Sequence, residues 1–140
     1  MSKILIFSFV VVMIMWVGQI VSIRTNNLAA FAKLCKEDIE KCNSTFTKDF
    51  SSAGRAKAKD ESEETEKCLD RFKNKYIQGS NKSEEEKTKL KEITQTCMYY
   101  VNNITSILSS PQFDYNSYTE CKDNITSATN CIVKLEKYSK

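Results

Sequence analysis

From Leu28 onward, apolar residues recur at steps of three and four. The first stretch reads Leu28, Phe31, Cys35, Ile39, Cys42, Phe46 and Phe50. At 3.6 residues per turn this spacing places them on one helix face. A second stretch, Cys68, Leu69, Phe72 and Tyr76, follows the charged run Lys57 to Lys67. The third reads Leu90, Ile93, Cys97, Tyr100, Val101, Ile104, Ile107 and Leu108. The fourth reads Tyr118, Cys121, Ile125, Ala128, Ile132, Leu135 and Tyr138. Nothing alternates with period two over a strand's length, so the pattern predicts an all-α chain without a sheet.

Residues that stop or start helices fall between these stretches. Gly54 separates the first from the second, and Gly79 follows the second, where a left-handed cap residue suits a helix end. Ser109-Ser110-Pro111 divides the third from the fourth, because Pro111 cannot continue a helix. Ser83 with Glu86, and Ser117 with Glu120, fit the spacing of a capping box. Four helices joined by short connections predict an antiparallel, up-down-up-down bundle. Interleaved signs in Lys57 to Lys67 read as a solvated helix face.

The first 22 residues follow a different rule. Lys3 gives a basic start, Ile4 to Val17 is apolar apart from Ser8, and Gly18-Gln19 breaks the run before the small Ser22. This is the layout of a secretory signal peptide over 1–22, cleaved after Ser22. The competing reading is an uncleaved anchor, since Ile4 to Ile23 is about the 20 residues a bilayer needs. Either way residues 23–140 form one domain in the secretory pathway, with no membrane contact expected after cleavage. Without the signal, the apolar share falls from 41% of the chain to about 35%.

So thin a core changes the meaning of the cysteines. All six (Cys35, Cys42, Cys68, Cys97, Cys121 and Cys131) lie beyond the signal. An even count in an oxidising compartment reads as three disulfides, the usual supplement to a small core. Reflection about the three connections puts Cys42, Cys68, Cys97 and Cys121 in one layer and leaves Cys35 for Cys131. Two connectivities then fit, and both contain Cys35–Cys131. The preferred one adds Cys42–Cys68 and Cys97–Cys121; the other adds Cys68–Cys97 and Cys42–Cys121. With no His and no Cys-x-x-Cys pair, zinc is a poor alternative. Four N-glycosylation sequons begin at Asn43, Asn81, Asn103 and Asn124 and agree with a secreted chain.

The charge balance, 21 basic against 18 acidic residues, gives no case for a nucleic-acid partner. The lack of His removes most general-base and Cys–His chemistry. Three glycines leave no phosphate-cradling loop. The acids one could nominate, Glu84 to Glu86 and Asp60, Glu61, Glu63 and Glu64, lie in charged runs where nothing separates their pKa values. The expectation is a non-enzymatic binding protein with no catalytic residue, metal or cofactor, whose partner is an extracellular protein or a glycan. The alternative is a carrier of a small apolar ligand, lined from among Phe31, Phe46, Phe50, Phe72, Tyr76, Tyr99, Tyr100, Phe113, Tyr115 and Tyr118.

Two family comparisons bear on this. The run Cys97-Met98-Tyr99-Tyr100-Val101, then Phe113, Cys121 and Cys131, resembles the C-terminal half of small secreted helical cysteine-rich domains of nematodes. That resemblance implies a secreted helical domain and supplies no functional residues. Those domains carry further cysteines in the middle, which this chain lacks. In length and cysteine number the chain is also similar to six-cysteine helical carriers such as insect odorant-binding proteins. It departs from their Cys-x-x-x-Cys hallmark, because six residues separate Cys35 from Cys42.

Overall fold

A computed structural model describes residues 27–140; the signal peptide or anchor expected over 1–22 lies outside the described residues. Helix α1 spans Leu28–Lys48 and α2 spans Ser52–Arg71, running on into a π-helical segment, Phe72–Ile77. Helix α3 spans Glu84–Ser109 and α4 spans Tyr115–Tyr138. No strand occurs among the described residues. Each helix packs on the next, and α4 packs back on α1, so the four form a closed antiparallel ring. The described residues form an all-α, disulfide-stapled four-helix bundle.

The predicted faces point inward. Helix α1 buries Leu28, Ala32, Cys35, Ile39, Cys42 and Phe46. Helix α3 buries Leu90, Ile93, Thr94, Cys97, Val101, Ile104 and Leu108. Helix α4 buries Cys121, Ile125, Ala128, Ile132 and Leu135. Phe50 and Tyr138, placed on core faces by their spacing, are instead exposed, because α1 stops at Lys48 and Tyr138 ends α4.

Helix α2 departs further from expectation. It starts at Ser52, so Gly54 lies in its first turn rather than in a connection. The glycine is needed there: a Cβ would run into the Asp49 carbonyl. Most of the Lys57 to Lys67 run is solvated, but Ala58, Ser62 and Thr65 inside it are buried. They recur at steps of four and three and form a stripe of small residues. The Ser62 hydroxyl meets the Thr105 hydroxyl on α3 at 2.7 Å, and Thr65 Oγ1 donates to the Glu61 carbonyl at 2.9 Å, so the burial leaves neither oxygen unpaired.

The caps are part prediction and part correction. Ser83 accepts from the Glu86 amide at 3.2 Å, as the spacing implied. Ser117 is not the cap of α4. Asp114 is: it accepts from the Ser117 amide at 2.8 Å, while Ser117 Oγ accepts from the Asp114 amide at 3.3 Å. Gly79 has no positive φ. The second helix ends instead through its π segment, with Gly79 N–H donating to Lys75 O at 3.1 Å and Ser80 Oγ donating to Ile77 O at 2.7 Å.

These shifted ends correct the cysteine pairing. The disulfides are Cys35–Cys68 and Cys97–Cys131, with Cα–Cα distances of 5.5 and 5.4 Å. Cys35–Cys131, Cys42–Cys68 and Cys97–Cys121 do not form, and Cys42 and Cys121 are buried free thiols. The reason is geometric. The first hairpin reflects about Ser51 and Ser52 rather than Gly54, and the second about Asp114 rather than Ser109. An error of a few residues in the mirror displaces the partner by twice that, roughly 10–15 Å along a helix. Each disulfide therefore staples one hairpin, and none joins the first helix to the last.

Candidate interaction surface at one end of the bundle

The connections after α1 and after α3 lie at the same end of the ring. Phe46, on the last turns of α1, is fully buried there. Tyr118, in the first turn of α4, stacks on it at 5.1 Å, and Phe113 meets it edge-on at 6.1 Å. Phe50 leaves the α1–α2 connection and meets Tyr118 edge-on at 5.4 Å. The Arg55 guanidinium lies 4.5 Å over the Phe113 ring and donates to the Phe50 carbonyl at 3.4 Å. A cation on an aromatic face is held by the ring quadrupole, which ties the two connections together.

Phe50, Arg55, Phe113, Asp114, Tyr115 and Tyr118 line a solvent-open hollow of about 520 Å³, with Phe46 buried beneath it. Phe50 is 57% exposed and Tyr115 is 80% exposed. Two acids at this end are fixed by their own turns. The Ser117 amide, then its hydroxyl, holds the Asp114 carboxyl below the usual carboxylate range. The Ser51 hydroxyl, then its amide, does the same for Asp49. Both stay ionised at neutral pH, so the end offers apolar rings with one cation and fixed anions, an arrangement suited to contact.

Two other hollows differ in character. The larger, about 710 Å³, is an open groove between α1 and α2 that mixes Lys41, Lys48 and Lys57 with Glu61 and Asp49. The smaller, about 290 Å³, is bordered by Asp38, Arg71 and the stacked pair Phe31 and Tyr76, whose centroids are 3.8 Å apart. Partial burial pushes the Asp38 carboxyl up, with Lys41 opposing.

The acids weighed for catalysis are spread over helix surfaces. Glu61 accepts from Thr45 Oγ1 at 2.6 Å, Glu63 pairs with Lys59 at 4.0 Å, and Glu64 pairs with Lys67 at 3.5 Å. Asp60 is exposed, and Glu84, Glu85 and Glu86 occupy the first turn of α3, where acid favours the helix dipole. Among the described residues no three of Cys, Asp and Glu converge as metal ligands would.

The sequon asparagines fall into two kinds. Asn43 and Asn81 are exposed. Asn103 and Asn124 are half-buried and meet across α3 and α4, with Asn103 Nδ2 donating to Asn124 Oδ1 at 3.2 Å. Asn124 Nδ2 in turn donates to the Glu120 carbonyl at 2.8 Å.

Of the ten aromatic residues weighed as pocket lining, the structure gathers Phe46, Phe50, Phe113, Tyr115 and Tyr118 at this end. Phe31 and Tyr76 pair elsewhere. Arg55 and Asp114 were not foreseen. The Asp114-x-x-Ser117 spacing was the signal that could have located Asp114; nothing local marks Arg55 as the partner of a ring 58 residues away. Compared with family models, curated proteins and solved structures, the chain matches none.

Proposed function

We propose that residues 23–140 act as a secreted, N-glycosylated, disulfide-stapled binding module that engages an extracellular protein through its aromatic end. The reading rests on one observation. Phe50, held edge-on to Tyr118, and the exposed Tyr115 stand over a packed base of Phe46, Phe113 and Tyr118, with Arg55 stacked on Phe113 beside them. Aromatic residues and Arg are the types enriched in protein contacts, and a ring held rigid before binding loses little entropy on binding. Two disulfides suit an oxidising compartment, and Asn43 and Asn81 offer exposed acceptors for glycans. No catalysis, metal or cofactor is assigned.

The same hollow supports the second reading, a carrier of a small apolar ligand, because its size lies within the roughly 300–1,000 Å³ of ligand pockets. Two measurements separate them. Native mass spectrometry of protein from its own source is expected to show the polypeptide with glycans and no small molecule; a retained apolar ligand favours the carrier. A partner captured by the intact protein is expected to be lost by F50A/Y115A and weakened by R55A. Undiminished capture by the double variant sinks the aromatic end as the contact surface, and competition by free sugars makes the partner a glycan.

A further inference from the structure

The fold leaves two thiols unpaired, Cys42 on α1 and Cys121 on α4, and neither has any exposed surface. Their heights along the bundle coincide. Phe46 and Tyr118 stack across the α1–α4 contact at 5.1 Å. Cys42 lies four residues before Phe46, and Cys121 lies three residues after Tyr118. On antiparallel helices both steps climb about one turn in the same direction. The two cysteines therefore occupy the next layer of the bundle, one on each of the two helices, with Cys42 Sγ 3.3 Å from the Ala58 carbonyl of α2. The existing disulfides close within α1–α2 and within α3–α4, so among the described residues only the α2–α3 connection joins the hairpins covalently.

We infer that Cys42 and Cys121 are the site of a third disulfide, which ties the two hairpins together across α1 and α4. The inference rests on the secretory reading above, because it needs an external oxidant: the disulfide of a thiol–disulfide oxidoreductase. One protein thiolate attacks a sulfur of that disulfide, and the donor's other sulfur leaves as a thiolate. The second protein thiolate then attacks the protein sulfur of the mixed disulfide, and the donor's remaining sulfur leaves. One S–S bond forms in the protein and one breaks in the donor. Two electrons pass to the donor, whose two thiolates take up the two protons the cysteines give up.

The burial sets the timing. A protein donor cannot reach either sulfur in the closed bundle. Burial also pushes both thiols up to about 12, which leaves little thiolate to begin the exchange. The bond therefore forms before α4 closes on α1. Afterwards it is the best shielded of the three, since Cys68 and Cys131 leave the other two bonds half-buried. It also closes more than twice the length of chain closed by either neighbour, whose separations are 33 and 34 residues.

The test is a thiol census of protein from its own source, alkylated with iodoacetamide at lysis. The protein is then unfolded without reductant and alkylated again with a mass-distinct reagent. No label is expected on any of the six cysteines, and non-reducing peptide mapping is expected to recover a Cys42–Cys121 cross-linked peptide. Label on Cys42 and Cys121 alone overturns the third bond while leaving the secretory reading intact. Label on all six overturns both.

Discussion

The two hairpins carry disulfides of nearly equal span, 33 and 34 residues, yet fill their interiors differently. The α3–α4 hairpin is packed with Leu90, Ile93, Val101, Ile104, Leu108, Ile125, Ile132 and Leu135. In the α1–α2 hairpin, the inner stripe of α2 from Gly54 to Thr65 holds nothing larger than Ala58, Ser62 and Thr65. Small residues give up apolar area but let helices approach closely, so dispersion and paired hydroxyls replace bulk. Fitting a thin apolar supply into a bundle thus has two solutions here. One half is filled by branched side chains along both helices; in the other, the first half of α2 offers only small residues, and Ile39, Phe46, Leu69 and Phe72 supply the bulk.

The largest expected effect breaks the filled half. Ile104→Ala and Ile132→Ala, both at fully buried positions, should each cost about 2–5 kcal/mol in urea unfolding. A loss below about 1 kcal/mol would mean that α3–α4 collapses around the gap, and the contrast between the halves would fail. Removing one disulfide comes next. Replacing either pair by Ala should cost about 2–4 kcal/mol, and nearly the same for both, because the closed loops match in length. The halves should separate instead in amide exchange. Loss of Cys35–Cys68 should speed exchange locally in α2, whereas loss of Cys97–Cys131 should not open α4 ahead of the rest.

A smaller change tests the close approach. Ala58→Leu puts bulk at a fully buried position whose carbonyl lies 3.3 Å from Cys42 Sγ, and overpacking should cost about 1–3 kcal/mol. A neutral or stabilising result would show spare room in the small-residue stripe. The smallest effect lies at the shared end. Asp49 and Asp114 titrate below the usual carboxylate range in the folded state. Their contribution is therefore present above the unfolded carboxylate pKa and is lost as pH falls through the lower folded values. Asp114→Asn should flatten part of the acid limb of a stability–pH curve, and an unchanged limb would remove Asp114 from that role.

Much of the bundle was legible in the sequence because α1, α3 and α4 carry large apolar residues at helical spacing. The start of α2 was not, because its buried positions are Gly, Ala, Ser and Thr, which hydropathy does not mark. That omission misplaced the first mirror by only a few residues. Cys42 took the partner that belongs to Cys35, two turns away. The second mirror was set at the Ser109-Ser110-Pro111 stop, although the connection runs on to Asp114, and Ser117 was separately read as a cap when it is the third residue beyond one. The aromatic end was half legible. Its rings were visible as a composition, but their meeting point depends on both connections lying at one end, a tertiary fact with no local signature.

The course of α4 decides how the molecule can be presented. Helix α4 carries Lys140 to the pole where α1 also begins, and there Lys82 Nζ, in the α2–α3 connection, donates to the Lys140 carbonyl at 3.1 Å. The 26 residues of α3 separate that pole from the aromatic one by about 39 Å. A sensor surface, fluorophore or fused domain attached at Lys140 therefore sits a full bundle length from Phe50 and Tyr115. The protein can be immobilised in a single orientation, with its aromatic pole facing the solution.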